Sequence, residues 1–145
     1  MQLKTSTKVI IADSEKYLVL NNLGDEGIMD LRVQESGERD NPPAHAQGTD
    51  RPGRLISPSG QKSSVANADW HQIEKELAAS DLAKRINNLA SDTDVNSIIV
   101  VTDAHTLGLL RPQLTPETGE KITEEIAKDL TNHTIPEIES ILGAA

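Results

Sequence analysis

The chain has 145 residues, a formal net charge of -9 and no cysteine. This length suits a single domain, residues 1–145, that buries a core without covalent cross-links. The lack of cysteine excludes disulfides, zinc–thiolate sites and thiol catalysis. Phenylalanine is absent, and tryptophan and tyrosine occur once each. We therefore expect an aliphatic core and no aromatic platform for stacking single-stranded nucleic acid.

The N-terminal residues lack the apolar segment of a signal peptide, and no apolar run approaches the ~20 residues of a membrane-spanning helix. We expect a cytoplasmic protein with no membrane partner. Residues 1–66 hold 8 Lys and Arg against 9 Asp and Glu, whereas residues 67–145 hold 6 against 14. A basic footprint over the whole chain is absent. The sequence is still compatible with a local basic patch at Arg39, Arg51, Arg54 and Lys62.

The first third of the chain predicts an antiparallel meander of three strands. Val9–Ala12 is a short apolar run, and Tyr17–Leu20 follows closely enough to form a hairpin with it. Ile28–Val33 alternates apolar and polar residues with period 2, as in a strand with one wet face.

A long polar loop is predicted over about residues 35–67, where proline and glycine are frequent. Loops of this length are usually functional or disordered. It contains Asp50-Arg51-Pro52-Gly53-Arg54, which gathers two guanidinium groups that suit phosphate or carboxylate. The alternative is that Asp50 pairs with these arginines and fixes the loop to the domain.

The sequence from Asp69 to Ala90 predicts a helix with Asn67 or Asp69 as N-cap. Its second half carries an inward stripe, whereas its first half carries apolar residues on a different face. The inward stripe is Ala78, Leu82, Ile86 and Leu89, and the other apolar residues are Trp70, Ile73 and Leu77.

The second half of the chain alternates helices and strands. Val95–Val101 is a β-branched run typical of a parallel strand buried on both faces, followed by a turn at 102–105 and a short helix over Leu107–Arg111. Ile122–Leu130 fits either a helix or a strand, and the topology favours a strand. A last helix begins after a cap at Thr134 and turns Ile138, Ile141 and Leu142 inward. These elements predict an α/β fold with a mixed sheet.

Four segments together resemble the bacterial host attachment protein family, described as proteins required for attachment to host cells. They are Val9–Asp13, Asp50–Arg54, Leu107–Arg111 and Lys128–Thr131. That family is similar to the middle domain of archaeal and eukaryotic class 1 peptide-release factors. The resemblance implies a ribonuclease H-like α/β domain over essentially the whole chain.

The chain departs from this pattern in places. Ala78-Ala79 stands where relatives usually carry Phe-Ala, and Asp103-Ala104-His105 lacks an arginine that relatives often carry. Release factors carry Gly-Gly-Gln before the central helix, whereas the nearest match here is Ser59-Gly60-Gln61-Lys62. Peptidyl-tRNA hydrolysis through Gln61 is therefore not carried over with the resemblance.

Two carboxylates are candidates for catalysis. Asp13 and Asp103 each follow a predicted strand at its carboxyl end, where α/β sheets tend to place sites. Two such groups could hold Mg²⁺ beside a phosphodiester, but no spacing identifies the third acid that a nuclease needs. The alternative is that each Asp forms an ordinary turn.

The function predicted from the sequence is a non-enzymatic, cytoplasmic binding module related to release-factor domains. Its partner is RNA, the ribosome or a protein, it needs no cofactor or metal, and the sequence does not indicate its oligomeric state. Its expected binding residues are Asp50, Arg51, Arg54, Lys62 and Arg111. The alternatives are a metal-dependent nuclease or other hydrolase that uses Asp13 and Asp103, or Gln61 on an ester, and a factor that affects host adhesion indirectly.

Overall fold

A computed structural model describes residues 1–38 and 60–145, with side chains described in the second range from residue 70 onward. The strands in these ranges are β1 (Lys8–Ala12), β2 (Lys16–Asn22), β3 (Leu31–Glu38), β4 (Ile98–Thr102) and β5 (Ile122–Ala127). The helices are α1 (Gly60–Ala90), α2 (Ala104–Leu110), α3 (Pro116–Lys121) and α4 (Ile135–Ala144), with a 3-10 turn at Arg111–Gln113 after α2.

The strands form one mixed sheet in the order β3-β2-β1-β4-β5. β1 pairs antiparallel with β2, and β2 pairs antiparallel with β3, which confirms the predicted meander. β4 lies parallel to both β1 and β5. The predicted α/β class with a mixed sheet is therefore confirmed, and so is the choice of strand for the ambiguous segment that begins at Ile122.

The central strands β1 and β4 supply the core on both faces of the sheet. Ile10 and Val100 point to the side of α1, where they pack with Ile86. Ile11 and Val101 point to the opposite side, where α4 covers them. Successive residues of a strand face opposite ways, so a continuous β-branched run is apolar on both faces.

The third strand begins later than the sequence pattern indicated. Ile28 belongs to the preceding turn, where the Asp25 carboxylate accepts bonds from the backbone N–H groups of Gly27 and Ile28 at 2.8 and 3.0 Å. The strand then continues to Glu38, through residues assigned to the polar loop. The alternation of apolar and polar residues predicted a strand from Ile28. The backbone N–H groups of Gly27 and Ile28 instead bond to the Asp25 side chain, so the chain forms a turn there.

The long helix begins nine residues before the expected Asp69, at Gly60, so neither Asn67 nor Asp69 is its N-cap. Residues 61–68 contain no proline or glycine to stop a helix. The inward face is also shifted, because Ala78 and Leu89 are half-buried. The fully buried residues of α1 are Ala79, Leu82, Ala83, Ile86 and Ala90.

The remaining helices largely match their predictions. α2 begins at Ala104, inside the predicted turn, and ends before Pro112, whereas α3 was not predicted. Thr134 caps α4 through a capping box with Glu137. Ile138 and Leu142 are fully buried, and Ile141 packs against them half-buried.

Thr102 joins the carboxyl ends of the two central strands, since its buried hydroxyl donates to the Ala12 carbonyl at 2.9 Å. Thr102→Val keeps the shape but removes the donor, so we expect the free energy of unfolding to fall by about 1–2 kcal/mol. Urea denaturation followed by circular dichroism measures this change. Thr123→Val on β5 is the matched control, because that hydroxyl is exposed and its contacts are 3.2 Å or longer. Equal stability of both variants would contradict the role of Thr102.

Candidate functional site

Asp13, at the carboxyl end of β1, is held by hydrogen bonds on both oxygens. Its Oδ1 accepts from the backbone N–H groups of Glu15 and Lys16 at 2.7 Å each. Its Oδ2 accepts from the Thr131 hydroxyl at 2.8 Å, and that hydroxyl also lies 2.7 Å from Asp129 Oδ1. Since a hydroxyl has one hydrogen, Thr131 donates to one carboxylate at a time. Two segments that carry the family resemblance, 9–13 and 128–131, thus meet in space.

Asp103, at the carboxyl end of β4, is the N-cap of α2. Its two oxygens accept from the backbone N–H and the hydroxyl of Thr106, at 2.9 and 2.8 Å. Burial raises the pKa of this carboxyl, but the hydrogen bonds from Thr106 outweigh it, with a smaller contribution from nearby His105, and the pKa lies below its ordinary value.

Asp13 and Asp103 therefore lie on the same edge of the sheet, because the parallel strands before them are in register with Ile11 opposite Val101. Each carboxylate has a structural task there, as a turn former or a helix cap. Among the described residues, no group of three or more His, Asp or Glu is placed to hold a metal ion. Hydrolysis through Asp13 and Asp103 stays a prediction.

A cleft of about 760 Å³ opens at this edge, between the β1–β2 turn, the end of β3 and the middle of α1. Asp13 lies at one wall and Tyr17 at another. The charged groups that line it are Asp13, Lys16, Glu38, Asp81, Lys84 and Arg85. Among the described residues, three cations and three carboxylates therefore line the cleft, on a chain whose net charge is -9.

Arg85, Tyr17 and Glu35 form one connected group beside the cleft. The Arg85 guanidinium lies 4.5 Å from the centre of the Tyr17 ring and pairs with Glu35 Oε1. The Tyr17 hydroxyl donates to the same oxygen at 2.9 Å. Burial raises the pKa of Tyr17, and its hydrogen bond to Glu35 acts in the same direction. The phenol is therefore a neutral donor at physiological pH.

A bulge in β3 places Glu35 within reach of this group. Leu20 pairs with Val33, whereas its neighbour Val19 pairs with Glu35, so Gln34 is an extra residue. In a regular strand Val33 and Glu35 would share a face, but the extra residue turns Glu35 to the side of α1.

Gly37, two residues after Glu35, lets the Tyr17 ring lie across β3. A Cβ atom at position 37 would lie 2.6 Å from Tyr17 Cε1. Only glycine leaves room for the ring in this position.

Of the other candidate residues, Asp50, Arg51 and Arg54 lie outside the described ranges. Gln61 and Lys62 lie in the first turn of α1, and their side chains are not described.

Arg111 lies at the opposite end of α2 from Asp103, away from the cleft. Its Nε and guanidinium N–H groups donate to Glu125 Oε1 at 3.0 and 2.9 Å. Its own backbone N–H, not its side chain, bonds the helix carbonyl of Leu107. The Arg111 side chain pairs with Glu125 on β5, and its role in binding stays a prediction.

Of the described charged residues that line the cleft, only Asp13 was singled out from the sequence. The adjacent cations Lys84-Arg85 could have indicated a site on this helix, because basic residues are few in the acidic half of the chain. Glu35 carried no such signal, because its direction depends on the bulge at Gln34.

The mixed sheet with its flanking helices defines an α/β domain, and the cleft opens at the edge where open α/β sheets tend to place ligand sites. A family model described as "Bacterial archaeo-eukaryotic release factor family 12" matches residues 6–142. The chain belongs to this release-factor-like family, which confirms the predicted relation to release factors. The name host attachment stays a prediction.

An uncharacterized protein of Rickettsia prowazekii (strain Madrid E) is 27% identical over 100 residues. The match covers 68% of this chain and 61% of that protein, so the chain spans less than two thirds of its curated relative. Within the described part of the chain, no helix combines the length and the apolar character needed to cross a bilayer.

The lowered pKa of Asp103 gives a test of its role as a cap. A carboxyl with a lowered pKa in the folded state adds stability above its ordinary pKa of 3.8, and this stability is lost as the pH falls through the folded value. Asp103→Asn keeps a cap acceptor and cannot titrate. We expect the excess stability of the wild type over Asp103→Asn to shrink as the pH falls from 6 to 3.

Urea denaturation at each pH measures this difference. Thr106→Val removes the hydroxyl donor and keeps the backbone donor, so its pH dependence should be intermediate. A pH-independent difference between wild type and Asp103→Asn would contradict the capping role.

Proposed function

We propose that the protein is a non-enzymatic, cytoplasmic binding module related to translation release-factor domains, and that it binds RNA, in particular that of the ribosome. The contact residues of the proposal are Arg51, Arg54 and Lys62, together with Asp50 in the same segment. The observation that carries the proposal is the cleft at the carboxyl edge of the sheet, whose described lining holds as many cations as carboxylates on an acidic chain.

The position of the cleft in the chain supports this proposal. Glu38 lines the cleft and precedes the segment that holds Asp50-Arg51-Pro52-Gly53-Arg54 in the sequence. Lys16, Lys84 and Arg85 offset the nearby carboxylates, so a phosphate backbone would meet less repulsion here than over the rest of the surface.

The family and the sheet support the release-factor part of the proposal. The order β3-β2-β1-β4-β5, with a meander followed by parallel strands, is compatible with a ribonuclease H-like fold. A protein of this kind would affect attachment to host cells indirectly, through the expression of other proteins.

The non-enzymatic part is supported by the bonding of Asp13 and Asp103. Every carboxylate oxygen of these two residues accepts a hydrogen bond from a turn, a cap or Thr131. These contacts give each carboxylate a structural role that does not require catalysis.

The test is the double variant Arg51→Ala/Arg54→Ala. Because log affinity for nucleic acid depends on the number of phosphates neutralised, we expect at least about tenfold weaker binding to ribosomal RNA and a smaller salt dependence. Fluorescence anisotropy with labelled RNA measures both. The melting temperature should stay nearly unchanged.

The matched control is Arg32→Ala/Lys75→Ala, which removes the same charge from β3 and α1 at two residues that do not line the cleft. Equal weakening by both double variants would show that only net charge matters and would contradict a specific site. A large fall in melting temperature for Arg51→Ala/Arg54→Ala would show that these arginines stabilise the domain instead.

A further inference from the structure

Helix α1 is longer than its packing on the sheet requires. Its 31 residues span about 46 Å at 1.5 Å per residue, whereas strands of five to eight residues span about 17–26 Å. From residue 70 onward, the first fully buried residue of α1 is Ala79. From residue 70 to residue 78, the side chains of α1 are therefore not part of the buried core.

Three of those side chains form an apolar stripe, defined here as Trp70, Ile73 and Leu77. Their spacing of three and four puts them on one face of the helix. Ile73 is 44% exposed and Leu77 is 47% exposed, while Trp70 is half-buried. At 3.6 residues per turn, this face lies roughly opposite the buried face that contains Ala79 and Ile86. The stripe is therefore not an extension of the core.

Among the described residues, a carboxylate flanks the stripe on each side, while Lys84 lies beyond its C-terminal end on the same face of the helix. Glu74 lies beside it on one side and Glu76 on the other, and the Gln72 side chain holds Glu76 Oε1 at 3.1 Å. Lys75 points to the far side of the helix, away from the stripe, by the same helical geometry. The apolar stripe could pack against the apolar face of another helix, and basic residues beside that face would then lie opposite the two carboxylates.

We propose that the apolar stripe docks a basic amphipathic helix of a partner protein. Ile73 and Leu77 would supply the buried anchors, and Glu74 and Glu76 would pair with lysines or arginines of the partner. A second copy of this chain fits less well, because its stripe would bring Glu74 and Glu76 against their own equivalents. This proposal does not depend on the proposed RNA contacts.

Trp70 is the one tryptophan of the chain, so its fluorescence reports directly on the stripe. The probe is an 18-residue amphipathic helical peptide of leucine and lysine, which contains no aromatic residue. Titration of the whole protein with this peptide should give a saturable blue shift of the Trp70 emission. The same peptide with glutamate in place of lysine should give no shift.

Three variants locate the binding surface. Leu77→Glu should weaken peptide binding by about tenfold or more, because it puts a charge at an anchor. Glu74→Gln/Glu76→Gln should weaken it several-fold and reduce its salt dependence. Lys75→Gln, on the far side of α1, is the control and should bind as the wild type does. Far-ultraviolet circular dichroism melts check that each variant is folded.

Four results would overturn the proposal. They are the absence of a shift with the lysine peptide, an equal response to the glutamate peptide, unchanged binding by folded Leu77→Glu, and a concentration-dependent dimer that Leu77→Glu abolishes. The last result would assign the stripe to a second copy of the chain. RNA binding measured on Leu77→Glu separates the two proposals, since it should equal that of the wild type.

Discussion

The burial of β1 and β4 as a parallel pair is the constraint on which the rest of the structure depends. These strands are apolar on both faces, so each face must be covered, and α1 and α4 cover them. A parallel pair also brings two carboxyl ends to one edge of the sheet. Asp13 and Asp103 lie side by side for this reason, and the turn, the cap and the Thr131 contact are built around them.

Two local features of β3 place side chains beside the cleft at the carboxyl edge of the sheet. The bulge at Gln34 directs Glu35 to Arg85, and Gly37 leaves room for the Tyr17 ring. Lys16, Lys84 and Arg85 lie there among carboxylates, on a chain whose net charge is -9. The carboxylates at the strand ends are held in the same region by hydrogen bonds from a turn and from a helix terminus.

The elements governed by strong local signals were predictable from the sequence. The β-branched run in β4 and the Thr134 capping box specify their structures with few alternatives, and the pattern of apolar residues led to the correct sheet. The start of β3 was not predictable, because the Asp25 turn competes with the alternation of Ile28–Val33. A one-residue bulge places Glu35 at the site, and the packing of α1 against the sheet places Arg85 there. Neither position follows from the spacing of residues in the sequence.

The most direct measurement of the central claim is made on ribosomes that carry peptidyl-tRNA. The purified protein is incubated with them, and co-sedimentation and release of the peptide are followed in the same sample. If the protein is a release-factor-like module that binds without hydrolysis, it sediments with the ribosomes and the ester bond stays intact. Peptide release above the buffer rate that is lost in Gln61→Ala would contradict this account, and so would failure to sediment at low salt.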